Sequence, residues 1–78
     1  MQIERLYWRE EVIEKLLTKH GVTRDEVEEV VNGRNEVRKC GKDRYLLFGQ
    51  TDAGRYLLVV LVKDKDECSL YIPISARE

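Results

Sequence analysis

Cys40 and Cys68 are the only thiols in this 78-residue chain. Two cysteines are too few for a disulfide framework or a thiolate zinc site, which leaves reduced cysteines in strands as the plain reading. The single histidine, His20, cannot complete a structural metal site with them. No apolar run reaches the ~18 residues expected of a membrane helix. The opening Met1-Gln2-Ile3-Glu4-Arg5 lacks the basic-then-apolar layout of a secretory signal. Also missing are a phosphate-cradling glycine loop, a Ser-x-Gly nucleophile elbow, any linker, any repeat and any low-complexity stretch. These absences predict one small cytoplasmic domain, residues 1–78, with no metal, no cofactor and no membrane contact. Its core is thin: a chain of this length buries roughly 60–65% of the surface exposed when unfolded.

Charge is abundant but segregated. Residues 1–33 carry five basic and eight acidic groups, residues 34–55 six basic and three acidic, and residues 56–78 three basic and four acidic. The chain totals −1 around a middle of +3. Such a middle suits local phosphate contacts rather than a long nucleic-acid track, and equally suits a sheet edge kept monomeric by charge.

Alternation of Ile3, Arg5 and Tyr7 with Glu4, Leu6 and Trp8 predicts a short first strand. From Arg9 the period changes: Ile13, Leu16, Leu17 and His20 make one helical stripe, and Gly21 is placed to end it in a left-handed cap. Thr23 and Glu26 form a capping box opening a second helix, with Val27, Val30 and Val31 as its apolar face and Asn32-Gly33 as its stop. Four strands follow, Arg34–Cys40, Arg44–Gln50, Tyr56–Val62 and Glu67–Ser75, joined by Gly- and Asp-rich turns. Leu57–Val62 is apolar throughout and reads as a central strand covered on both faces. Pro73 calls for an edge, a bulge or a strand end. The fold class is α+β, in the order β-α-α-β-β-β-β, an antiparallel sheet with two helices packed on one face.

What the chain offers chemically is cations. RNA cleavage without a metal needs a base near the ribose 2′-hydroxyl, positive charge on the developing phosphorane and a proton for the leaving oxygen; His, Arg, Lys and Tyr can fill those roles. The turn signals place Arg34, Arg55, Ser75 and Arg77 toward one end of the sheet, and Arg38, Lys39, Lys42, Arg44 and Cys68 toward the other. Arg44 and Arg55 then stand roughly 20 Å apart at the strand rise per residue and cannot hold one phosphate. The face each takes stays open, because a one-residue slip inverts it. His20, the residue type that moves protons near neutral pH, caps the helix end against the core, acts in chemistry or contacts a partner. Lys19 is a solvated helix-end cation rather than a catalyst. Ser75 and Arg77 share a strand face with Tyr71 and read as a phosphate-binding pair or a frayed end. Trp8 is read as packing beneath the helices rather than stacking on a base.

Four blocks, in this order, resemble the BrnT family of toxins. They are Tyr7-Trp8; Lys19-His20-Gly21-Val22 followed by Asp25-Glu26; Arg44 to Gly49 with Gly54-Arg55 and Leu57 to Val60; and Ile74-Ser75-Ala76-Arg77. The departures are Arg9, Val12 and Leu16, where the family has Asp, Lys and Asn, and a stop at Glu78, where the family continues into a helix with Glu and Tyr. The resemblance implies a RelE-like fold and the toxin role in a bacterial type II toxin–antitoxin pair. It further implies metal-independent endoribonuclease activity that blocks translation, with RNA met on or off the ribosome. The implied partner is a BrnA-like antitoxin, through which alone DNA is contacted. On this reading His20, Arg55 and Arg77 are catalytic, while Lys19, Arg44 and Ser75 bind RNA. The alternative is a catalytically silent binding module of the same fold.

Overall fold

The computed structural model describes residues 3, 5–67 and 69–78. Cys68, and the Glu4 position of the first alternating segment, lie outside the described residues. The chain runs β1 (Arg5–Leu6), α1 (Glu10–Lys15) passing directly into a π-helical turn (Leu16–His20), α2 (Arg24–Asn32), β2 (Asn35–Lys39), β3 (Arg44–Gln50), β4 (Tyr56–Lys63) and β5 (Leu70–Arg77). The strands form one sheet in the order β1-β5-β4-β3-β2. The expected α+β order holds, with one change: the sheet is mixed, because β1 pairs parallel to β5. The last strand also starts later than expected, since residues 64–67 form a turn in which Asp64 accepts the backbone N–H groups of Asp66 and Glu67 at 3.0 Å each.

Local chemistry accounts for the helices. Thr23 and Glu26 complete a reciprocal capping box at the start of α2, satisfying two donors that have no partner within the helix. At the other end of α2 the Asn35 amide donates to the carbonyls of Val30, Val31 and Gly33. Helix α1 starts less well: its N-cap is Arg9, with no side-chain cap. Its buried face is Val12 and Leu16 rather than the Ile13–Leu16–Leu17–His20 stripe read from the sequence, and Leu17 is 55% exposed. The π-turn, whose extra residue rotates everything after Leu16 away from a 3.6-residue stripe, accounts for the departure of Leu17 and His20. Gly21 then ends the helix at φ 62° and ψ 31°, the left-handed cap that costs a glycine nothing.

Val12, Leu16, Val22, Val27 and Val30 pack on Leu47, Leu57, Val59, Leu61, Tyr71 and Ala76 to make the core. Trp8 packs against this cluster, as expected, and its indole N–H donates to Glu28 at 3.1 Å. Gly49 lets α2 approach β3 closely: a Cβ there would meet the Arg34 carbonyl oxygen at 2.9 Å and Val30 Cγ1 at 3.0 Å.

β4 is central, but the reading that both its faces are covered is corrected. Leu57, Val59 and Leu61 are buried while Leu58, Val60 and Val62 are only half-buried. The described helices pack against the first set, and the second set belongs to a helix-free face shared with Leu46 and Phe48 of β3. Pro73 meets its expectation of a bulge: the β4–β5 register slips between Val60, opposite Ser75, and Leu61, opposite Pro73, leaving Ile74 as the extra residue. The Ile74 carbonyl accepts the Lys15 ammonium at 3.1 Å, tying the bulge to α1.

Candidate functional site

The bulge decides which face Ser75 and Arg77 take. Without it, Tyr71, Pro73, Ser75 and Arg77 would share one face. With it, Tyr71 and Pro73 remain on the core side, whereas Ser75 and Arg77 turn to the helix-free face, opposite Val60 and Leu58. The expectation that Ser75 and Arg77 share a face with Tyr71 is therefore corrected, since one added residue inverts the alternation.

At that position Ser75 and Arg77 meet the end of the π-turn. His20, Ser75 and Arg77 line one cavity of about 340 Å³ with Leu46, Leu58 and Val60. Residues 57 positions apart in sequence, His20 and Arg77, thus share one wall. The imidazole is exposed and does not belong to the core. A proton-transferring ring, a hydroxyl and a guanidinium over an apolar floor form a set able to bind a phosphodiester and move protons around it.

Arg55 lies at the same end, but its donors are taken by the protein. One guanidinium nitrogen, Nη1, donates to the Gly21 carbonyl at 2.8 Å and to both Glu26 carboxylate oxygens at 3.2 Å. The other, Nη2, donates to the His20 carbonyl and to Glu78 Oε1, each at 3.2 Å. These contacts hold the guanidinium protonated even more firmly than usual, Glu78 more than Glu26. Glu26 responds in the opposite sense. The Thr23 backbone N–H most of all, and then Arg55, keep its carboxyl below the usual carboxylate range, against the opposing effect of partial burial. Arg55 therefore staples the His20–Gly21 corner to the start of α2 and to the end of β5.

Lys19 is exposed on the π-turn beside His20. Arg44 is elsewhere. It pairs with Val62, at the end of the β3–β4 hairpin away from Arg55, and with Lys42 and Cys40 borders a separate cavity of about 280 Å³. The structure thus brings together His20, Ser75 and Arg77, holds Arg55 on the His20 and Gly21 carbonyls behind them, and leaves Lys19 outside the cavity lining and Arg44 apart. Sequence reasoning missed Leu46, Leu58 and Val60 as the floor, which only the strand register reveals. Glu26 was legible as a capping residue; its second task, holding Arg55, has no local signal.

No described helix is long and apolar enough to cross a membrane. No family model matches the sequence, and no curated protein sequence matches it. Among solved structures, the chain is similar to the crystal structure of the Brucella abortus ribonuclease toxin BrnT. The TM-score is 0.75 with 20% identity, over 94% of this chain and 92% of that one. Over nearly its whole length, then, this chain has the α+β fold of that toxin, the RelE-like arrangement that its motifs implied.

Proposed function

We propose that this chain is the toxin of a bacterial toxin–antitoxin pair and an endoribonuclease whose cleavage needs no metal. The observation that carries the reading is the convergence of His20, Ser75 and Arg77 on one cavity of the helix-free face. The likeness in fold to a ribonuclease toxin supports it. In this mechanism the scissile phosphate lies against Arg77, whose guanidinium neutralises the charge that builds on the phosphorane, and the Ser75 hydroxyl donates to a non-bridging oxygen. His20 moves the proton at the reacting oxygens, taking it from the 2′-hydroxyl or delivering it to the leaving 5′-oxygen. Arg55 acts as a positioning residue, holding the carbonyls of His20 and Gly21 so that the imidazole stays aimed. Lys19 and Arg44 contact the flanking RNA backbone as diffuse cations. A BrnA-like antitoxin covers the site and mediates any DNA contact, and the setting is the cytoplasm.

A second reading, a catalytically silent binding module, draws on the half-exposed Leu46, Leu58 and Val60, which suit a protein surface as well as a ribose. Growth of a bacterial host under tight induction separates the two, alongside cleavage of RNA by purified protein in excess chelator. Arrest and cleavage by the wild type, both lost in Arg77→Ala and in His20→Ala while circular dichroism is unchanged, are the expected results. A His20→Ala/Arg77→Ala double variant that arrests growth fully would sink the site assignment. A folded, harmless wild type that cleaves nothing would leave the binding module.

A further inference from the structure

Next to the cavity of His20 and Arg77, on the same face, two large rings lie in the open. Phe48 is 46% exposed and Tyr56 is 58% exposed. Their centroids are 5.8 Å apart with planes inclined by 12°, a parallel stack. Exposed aromatic area on a domain with so small a core is costly, and neither ring joins the core cluster. The strand pairing fixes their neighbours. Phe48 stands opposite Leu58 of β4, and Leu58 stands opposite Arg77 of β5. The Phe48 and Arg77 positions are therefore two strand spacings apart, roughly 10 Å. On the other side, Glu36 of β2 stands opposite Phe48, and cross-strand partners share a face. Both rings and Glu36 border a cavity of about 500 Å³.

The electrostatics of that cavity differ from those of its neighbour. Glu29, Glu36 and Asp52 border it against the single cation Arg34. A phosphate would be repelled, so a ligand set by the phosphate site beside Arg77 extends a base here rather than its backbone. Glu29 is occupied by the Asp52 backbone N–H at 3.0 Å. Glu36 makes no hydrogen bond or ion pair among the described residues, and its carboxylate is a pure double acceptor. A base resting on the rings with such an acceptor at its edge must offer two adjacent N–H donors. Guanine does so with N1–H and its exocyclic amine; adenine and the pyrimidines present an acceptor at one of those places.

The geometry points to a guanine-selective base subsite: an unpaired guanine stacks on the Phe48–Tyr56 pair and donates to Glu36, while its strand passes the His20–Arg77 cavity. The assignment rests on the reading of this chain as an RNA-binding toxin but not on its cleaving RNA, and the test separates the two.

Short oligouridylates with 2′-O-methyl sugars, which cannot be cleaved through the 2′-oxygen, carry one guanosine, inosine or adenosine, and binding is followed by fluorescence anisotropy. The guanosine probe should bind about tenfold tighter than the adenosine probe, with inosine, which keeps N1–H and lacks the amine, between them. Phe48→Ala and Tyr56→Ala should each weaken the guanosine probe by about tenfold. Glu36→Gln should bring the guanosine-to-adenosine ratio to about one while leaving adenosine binding and the fold unchanged. Guanosine selectivity in a protein that cleaves no RNA would uphold the subsite and remove the nuclease. Equal affinity for the three probes, or full affinity in both aromatic variants, would overturn the subsite even in an active nuclease. So would aromatic variants that lose only a protein partner.

Discussion

Gly49→Ala isolates one contact on which the layered architecture depends. Gly49 has no unusual backbone requirement; what it lacks is room. An added Cβ would sit 2.9 Å from the Arg34 carbonyl oxygen, 3.0 Å from Val30 Cγ1 and 3.2 Å from Asn35 Cβ. Only the second of these can be relieved by moving a side chain, and Val30 is fully buried, so the α2–β2 corner and β3 must separate by a few tenths of an ångström. Overpacking of this kind costs about 1–3 kcal/mol. With a backbone oxygen as the nearest obstacle the upper half applies, about 2 kcal/mol. That is a lowering of the melting temperature by roughly 8–16 °C for a domain of this size. Thermal unfolding followed by circular dichroism reads it directly. Adding Val30→Ala should not restore stability, because the Arg34 oxygen stays in place and a core methyl pair is lost. Unchanged melting in Gly49→Ala, or recovery in the double variant, would refute the claim that backbone approach sets the layer spacing.

Arg9→Asp should stabilise the chain by about 0.5–1 kcal/mol in urea unfolding, since the N-cap of α1 has no side-chain acceptor and a carboxylate there caps orphan donors and meets the helix dipole. Thr23→Ala should cost about 1 kcal/mol by removing the α2 cap. Because the folded-state pKa of Glu26 is depressed, its contribution is fully present above the carboxylate's unfolded value and is lost as pH falls through the folded one. Glu26→Gln keeps a capping acceptor but removes that charge, so its stability should decline less steeply on acidification than the wild type's, as shown by unfolding at a series of acid pH values.

The features legible in the sequence were those encoded within a few residues. Thr23 with Glu26, Gly21 after a cation-rich helix end, and the turn at Thr51–Gly54 each carry their own stereochemistry, and each forms where expected. Tertiary geometry overrode the rest. The π-turn at Leu16–His20 adds a residue that no apolar period announces, so Leu17 and His20 leave the stripe. Pro73 signalled a bulge but not its phase, and the phase alone decides whether Ser75 and Arg77 face the core or the cavity. That Arg55 serves backbone carbonyls was not legible beside its turn glycine, because those carbonyls come from residues 20 and 21. The parallel partner of β1 was invisible for the same reason, as it lies at the far end of the chain.

That last pairing has a consequence in time. Leu6 docks beside Tyr71, and His20 shares its cavity with Arg77, so both of these contacts of the amino-terminal third wait for the last strand. A nascent chain emerging from the ribosome through β4 has its helices and central hairpin but no Ser75, no Arg77 and no partner for β1. Contacts of such sequence separation form late and slowly. Products truncated before Ser75 lack the cavity altogether, and the wall shared by His20 and Arg77 is completed only once the last strand has joined the sheet.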